Sequence, residues 1–407
     1  MPVTRNKSAL IVSVEPMSGD FVNPDFGEAA FHLKTHCVSQ QLDAAALLKK
    51  YAFDIVILNL HGTTFPWRDW YAELQRLYPR MARVIVSDMG DRRTQADAVA
   101  LAHVFISRRA ARRAVSASLA RVMELQEFLA ASRLSGLMSK LEQLPTSKSV
   151  YNRLVAETNS ADATALSLSR IVETDVALTG RVLQLINSSF FGLGKAVSSV
   201  HQALGYLGVS AIRLLAMMMQ VQALFPEAPL DMNRFMEIQK HGLLVGRLAK
   251  RLLTQRDAAE TALSAGILHD IGGLALLLGV GQTPSELGLI SSARHADIDN
   301  LQGVDHATLG GHLAYLWGLP DKVSEAIAWH HAPSRAPSPE MDALAAVHIA
   351  DALVFAAEND RAPDLDAAFI RRIGVEDRIA GWRSLAMGLA APVGKTSRVT
   401  GLVSLAS

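Results

Sequence analysis

"GILHDIGGLALLL", residues 266–278, decides how the second half of this chain is read. His269 and Asp270 stand side by side, after an apolar run and ahead of two glycines, Gly272 and Gly273. An imidazole and a carboxylate together offer two kinds of donor to one first-row divalent cation. The surroundings strengthen that reading. Of 13 histidines in the chain, eight fall between residues 241 and 351: His241, His269, His295, His306, His312, His330, His331 and His348.

Outward from that stretch, nearly everything from residue 146 to about 385 carries apolar residues at spacings of three and four, as in "LSRIVETDVALTGRVLQLI" (168–186), "HGLLVGRLAKRLL" (241–253) and "KVSEAIAWH" (322–330). That is the period of helices with a buried face. No strand alternation competes with it. The N-terminal part differs. "ALIVSV" (9–14), "FDIVILNL" (53–60) and "ARVIVSD" (82–88) are continuous apolar runs of strand length, as expected of strands covered on both faces of a parallel sheet. Helical patterns lie between them, "LDAAALLKKY" (42–51) and "WRDWYAELQRLY" (67–78). From Arg108 to about Leu141 the chain is rich in Ala, Leu, Arg and Glu and free of proline, a long helical exit that Pro145 punctuates. The expected architecture is multidomain: a doubly wound α/β domain at 8–128, a helical linker at 129–145, an all-α domain with a C-terminal helical extension at 146–390, and a loosely held tail at 391–407.

Composition narrows the function classes. Of 407 residues, 50% are hydrophobic and 19% charged, which suits folded domains with sizeable cores. A formal net charge of +1 gives no global field to draw in nucleic acid or an anionic membrane. The single cysteine, Cys37, excludes an intrachain disulfide and suits a reducing compartment. The start, "MPVTRNKSALIVSVEP", reads as a first strand rather than a signal peptide. The most apolar helical stretch, "AIRLLAMMMQVQALF" (211–225), is interrupted by Arg213 and Gln220. A cytoplasmic protein without nucleic-acid or membrane partners is expected.

The strand ends, "ALIVSVEP", "FDIVILNLHG", "YPRMARVIVSDMGD" and "AHVFISRR", resemble the receiver domain of two-component response regulators over roughly the first 125 residues. The resemblance implies Mg²⁺-binding acids after the first strand, a phosphoacceptor aspartate after the third and a lysine after the fifth. Here the first-strand positions are Ser13, Val14 and Glu15, the acceptor position is Asn59, and Ser87 keeps a hydroxyl while the Lys-Pro pair is replaced by Arg108-Arg109. An amide is a poor nucleophile, and losing acids removes the oxygen ligands Mg²⁺ needs. A pseudo-receiver used for protein contact or dimerisation is expected. Arg108, Arg109, Arg112 and Arg113 are read as a solvated helix face, with an anion site as the alternative.

Residues 140–335 resemble the HDOD domain, the HD-related output domain of bacterial signalling proteins. The resemblance rests on "LEQLPTSKSVYNRL", "LSRIVETDVALTGRVLQLINSSFFG", "VSSVHQALGYLGVSAIRLLAMM", "GILHDIGGLAL" and "GGHLAYLWGLPDKVSEAIAWHHAP". Asn187 and Ser188 mark a helix end and are read as structural. HD-type hydrolases draw metal ligands from separate helices, and the matching positions are His241, His269, Asp270 and Asp351, with His306 and the His330-His331 pair where bridging members add ligands. The resemblance thus implies a candidate centre of His241, His269, Asp270, His306, His330 and Asp351 for Fe, Mn, Ni or Zn. The alternative is a hydrogen-bonded polar network without metal. His295, His312 and His348 are read as ordinary helix histidines.

Two departures count against hydrolysis. Gly273 stands where the HD-GYP branch has a phosphate-binding lysine, and "HHAPSRAPSPE" (330–340) replaces its Gly-Tyr-Pro segment. Arg294 and Arg335 are the remaining candidate charge partners. The expectation is a signalling regulator that works by binding a protein partner or small ligand, with a homodimer as one arrangement. The alternatives are a metal-dependent phosphodiesterase acting on a cyclic dinucleotide or other nucleotide, and a nucleotide sensor without turnover. Met217, Met218 and Met219 are read as core, with an adaptable contact surface as the alternative.

Overall fold

The computed structural model describes residues 5–17, 19–22, 24, 26, 31–88, 101–131, 148–158, 160, 162–188, 193, 195–208, 232–280, 305–336 and 340–390. Most of the expected linker, the three methionines at 217–219, Arg294, His295 and the tail lie outside the described residues.

Five strands, β1 (Arg5–Val12), β2 (Phe31–Val38), β3 (Ile55–Asn59), β4 (Ala82–Ser87) and β5 (Val104–Ser107), form one parallel sheet in the order β2-β1-β3-β4-β5. The register sets Ala9 against Ile55, Ile55 against Ala82 and Val84 against Val104. Alternate residues leave opposite faces. Leu10, Val12, Val56, Leu58 and Ile85 pack on Ala44 and Leu48 of α2 (Gln41–Lys50) and on Trp70, Tyr71 and Leu74 of α3 (Trp67–Leu77). Ile11, Ile57, Val84 and Ile106 pack with Val115, Leu119, Val122 and Met123 of α4 (Arg112–Ala131) and with Phe21 of the short α1 (Gly19–Val22). Covering both faces is why β1, β3 and β4 read as unbroken apolar runs. Each such side chain contributes roughly 2 kcal/mol of burial. Gln126 fastens α4 by donating from Nε2 to the Asp54 and Arg80 carbonyls at 2.7 and 3.0 Å.

After Ser107 no strand occurs among the described residues. The helices are α5 (Lys148–Thr158), α6 (Ala165–Val172), α7 (Val176–Asn187), α8 (Val200–Leu207), α9 (Met232–Leu252), α10 (Arg256–Leu268), α11 (Ile271–Val280), α12 (His306–Leu316), α13 (Asp321–Trp329), α14 (Ala343–Asn359), α15 (Ala367–Ile373) and α16 (Glu376–Ala390). Their starts are written in the sequence. Asp175, Ser199, Asp305, Asp342 and Asp366 accept from backbone N–H groups at the N-termini of α7, α8, α12, α14 and α15, each worth about 1 kcal/mol. At the other end of α7, Asn187 accepts from Val197 N at 2.6 Å and donates to the Leu183 and Val197 carbonyls, while Ser188 donates to the Leu185 carbonyl. These two residues have the helix-end role read from the sequence.

One apolar core runs from the α4 face of the sheet into the helical part. Helix α7 is buried on every side, and its Gln184 donates to the His103 carbonyl beside β5 at 3.2 Å. Among the described residues no helix is long and apolar enough to cross a membrane.

Candidate metal centre

The candidate ligands converge because glycines let four helix backbones touch. A β-carbon on Gly266 of α10 would lie 2.6 Å from the Gly246 α-carbon of α9. That contact brings His241 and His269 to a ring-centroid separation of 5.4 Å. A β-carbon on Gly272 would lie 2.0 Å from the His306 carbonyl oxygen, so the first turns of α11 and α12 rest on each other. Asp270 Oδ1 then stands 3.3 Å from His306 Nε2. Gly311 seats α12 against Ala328 of α13, where its β-carbon would meet that of Ala328 at 2.6 Å. The rings of His306 and His330 consequently lie 5.4 Å apart. Asp351 enters from α14, within 3.0 Å of His241 Nε2 and 3.7 Å of His269 Nε2. All six sequence candidates are therefore in one place, and all but Asp351 are fully buried.

The hydrogen bonds behind the rings fix which nitrogen faces the centre. His269 Nδ1 lies 2.8 Å from the Gly266 carbonyl, and His330 Nδ1 lies 2.7 Å from the Ile327 carbonyl. A carbonyl only accepts, so Nδ1 carries the hydrogen in both rings. Burial, with the neighbouring His331, His269 and His306, holds the His330 pKa well below the usual histidine value. Its Nε2 is thus a bare lone pair, buried, with no hydrogen-bond partner among the described residues. Leaving such an atom unmatched is costly. A carbonyl or carboxylate behind each ring is the arrangement that orients histidines toward a metal.

Charge agrees. Burial opposes an imidazolium at His241, but hydrogen bonds to Asp351 and Glu358 prevail and push its pKa up to about 10. Burial likewise opposes ionisation of Asp351, yet the His241 and His269 hydrogen bonds hold it well below the usual carboxylate range. Ligand atoms of His241, His269 and Asp270, of His269, His330 and Asp351, and of His306, His330 and His331 lie within 4.8 Å of one another in each group. The residues fit a divalent cation: imidazoles and carboxylates gathered in three overlapping groups, with the buried His330 Nε2 lone pair unfilled. A cation bound there supplies Lewis-acid chemistry and lowers the pKa of bound water.

Glu358 and the role of His348 carried little or no signal in the sequence, whereas His331 was flagged there as half of the His330-His331 pair. Glu358 holds His241 Nδ1 at 2.9 Å from the far side of the ring. Its spacing of seven from Asp351, two helical turns on one face, is the clue. His331, outside the six, has its Nε2 3.2 Å from His306 Nε2 and is half-exposed (48%) at the mouth of the centre. His348 spans the turn behind the ligands: Nδ1 donates to the His330 carbonyl at 2.7 Å, and Nε2 accepts from Asp366 N at 3.0 Å. A cleft of about 400 Å³ reaches His331 between Tyr315, Trp329, Arg335 and Glu124 of α4. His312 also lines it.

The receiver-type positions form a separate, self-paired cluster. Asn59 is fully buried; its Nδ2 donates to Ser13 Oγ at 2.9 Å and its Oδ1 accepts from His61 N at 3.1 Å. Ser13 in turn donates to the Glu15 carbonyl. Glu15 lies between His61 (3.3 Å) and Arg108 (3.2 Å), and Arg108 Nε donates to Asp88 at 2.9 Å. Val14 is exposed, and Ser87 donates to the Asp88 carbonyl. The arginine cluster splits: Arg108 and Arg109 face Asp88, Arg112 reaches Asp20 at 3.5 Å, and Arg113 is exposed.

Residues 144–333 match the family model of the HDOD domain. This part of the chain is an HDOD domain. The HDOD segment contains His241, His269, Asp270, His306, His330 and His331, while His348, Asp351 and Glu358 follow it. A solved virulence factor of Campylobacter jejuni is 17% identical, covering 66% of this chain and 96% of its own with a TM-score of 0.51, which shows a shared fold. The MmoQ response regulator of Methylococcus capsulatus is 26% identical, covering 59% of this chain and 98% of its own with a TM-score of 0.45. An uncharacterized protein of Treponema pallidum is 23% identical over 220 residues, 53% of this chain. The match spans 42% of that relative's length.

Proposed function

We propose that this chain is a cytoplasmic signalling regulator in which a doubly wound pseudo-receiver is joined to an HDOD domain with a complete HD-type metal centre. It acts by binding a protein partner or a small ligand and does not accept a phosphoryl group. The observation that carries the reading is the contrast between the two sites. Asn59 replaces the nucleophile and is committed to Ser13 and His61, while Glu15, the acid left after β1, is paired with His61 and Arg108. The HDOD centre keeps its donors with a buried imidazole lone pair in hand. His241, His269, Asp270, His306, His330 and Asp351 would hold Fe, Mn, Ni or Zn, with His331 at the open side.

The same completeness supports a second reading, a metal-dependent phosphodiesterase. The cleft to His331 is large enough for a small ligand, but Glu124, Asp305 and Glu325 outnumber Arg335 along it. A polyanionic cyclic dinucleotide would meet more carboxylates than cations there. The test has two parts. Incubation with Mg²⁺ and acetyl phosphate should leave the protein unlabelled, and elemental analysis should find near-stoichiometric metal that a His269→Ala, Asp270→Ala variant loses. Metal-dependent turnover of a cyclic dinucleotide would favour the second reading; label on the N-terminal part would overturn the first.

A further inference from the structure

Helix α12 connects two places that have been described separately. Its first residue, His306, faces Asp270 and His331 in the centre. Farther along, the helix lies against α4, the helix that packs on the sheet. The His312 ring sits 4.2 Å from the Phe128 ring, and the Arg121 guanidinium lies 5.2 Å over the Tyr315 ring. Just past the helix end, Gly318 takes φ +71°, and a β-carbon there would lie 2.8 Å from Arg121 Nη1. On α4, Arg121, Glu124 and Phe128 recur at the three- and four-residue spacing of one helix face. Phe128 and Arg121 hold α12 from His312 to Gly318, and Glu124 between them lines the cleft to His331.

We infer that the receiver-fold part completes the HDOD site. Arg121 and Phe128 are positioning residues that set where α12 presents His306, and Glu124 is a wall of the cleft through which any ligand reaches His331. The inference rests on the metal-centre reading for the role of His306, but not for the shape of the cleft. The physical ground is the stiffness of a helix. His312 and Tyr315 lie six and nine residues from His306, roughly 9 and 14 Å along the axis. With Gly272 backed against the His306 carbonyl and Gly311 against Ala328, α12 has no slack to absorb a shift of its far end locally. A change in the receiver-fold part is therefore delivered to one ligand of the centre and to the mouth beside it. The interface thus has a use for a receiver whose own acceptor site is gone.

The experiment uses the full chain and compares Phe128→Ala, the gentler Phe128→Leu and Arg121→Ala with Arg113→Ala, an exposed change on the same helix. Two readouts are taken on protein that melts cooperatively. One is affinity for Co²⁺ alone, by titration against a chelator. The other is the rate at which diethylpyrocarbonate modifies His331, read by peptide mass mapping. The α12-facing variants should bind Co²⁺ about tenfold more weakly, as loss of an outer support does, and His331 should be modified several-fold faster; Arg113→Ala should match the parent. Unchanged affinity and unchanged His331 reactivity in folded variants overturn the inference. If the parent chain binds no Co²⁺, the metal reading fails and the His331 rate alone decides: faster modification supports the shared cleft, and an unchanged rate sinks it.

Discussion

Gly272 and His306 are in backbone contact: a β-carbon on Gly272 would stand 2.0 Å from the His306 carbonyl oxygen and 2.7 Å from the Gly310 nitrogen. That approach sets the distance between the His269-Asp270 pair and the histidine on the next helix. It also separates two glycines that look alike in the sequence, since a β-carbon on Gly273 meets nothing within 4 Å among the described residues.

Gly272→Ala should accordingly drive α11 from α12 and cost several kcal/mol, on the order of a severe overpacking change. Gly273→Ala should be neutral or stabilising by up to about 1 kcal/mol, because alanine favours a helix over glycine. Denaturant unfolding of the two variants checks this. Equal losses would show that the contact does not set the packing.

Glu358→Gln keeps shape and hydrogen-bonding capacity behind His241 but removes the charge. Metal affinity should fall about 10- to 100-fold, as it does when a carboxylate behind a metal-bound histidine is lost. Chelator competition against the parent protein measures it, with circular dichroism as the check on folding. An unchanged affinity would place His241 outside the coordination sphere.

Asn59→Asp places a carboxylate where the receiver resemblance implies the acceptor, but without the acids around it. Ser13 and Val14 still supply no acids, and Glu15 remains paired with His61 and Arg108. The variant should take up no label from acetyl phosphate in Mg²⁺, and burying a new carboxylate at a fully buried position should lower its stability. Stable aspartyl phosphate on residue 59 would contradict this account of the cluster.

Glu173, at the end of α6, has its pKa raised to about 7, chiefly by burial. Because the folded value lies above the unfolded one, the folded state holds the extra proton, and stability falls as pH rises from the ordinary glutamate value of 4.5 toward about 7. Glu173→Gln removes that loss. The variant should melt higher than the parent at pH 8, by on the order of 1 kcal/mol in stability, and match it at pH 4. A gain that is the same at both pH values would assign the effect to something other than ionisation.

The strands and helices were legible where burial leaves a mark on composition. β1, β3 and β4 are covered on both faces and read as apolar runs. β2, "FHLKTHCV", did not, because it lies at the sheet edge and only Leu33 in it is fully buried. The cluster was legible in its six candidate residues, since an adjacent His-Asp pair among many histidines is rare chemistry. What supports them was not. His348 looks like any helix histidine until its two hydrogen bonds are seen. Glu358 is one carboxylate among many, and its partner is more than a hundred residues away. The link from Phe128 to His312 joins residues whose types suggest nothing about each other.

The unbroken apolar core between the sheet and the helical layer bears on how this protein can be taken apart. Helix α4 presents apolar side chains to the sheet and a second face to α12, so a cut on either side of it strips one partner bare. Fragments made at that junction should be sticky and poorly soluble, and grafting this HDOD segment onto a foreign α/β domain would require carrying α4 along with it. Modules that are exchanged freely keep their greasy surfaces to themselves; these two have pooled theirs.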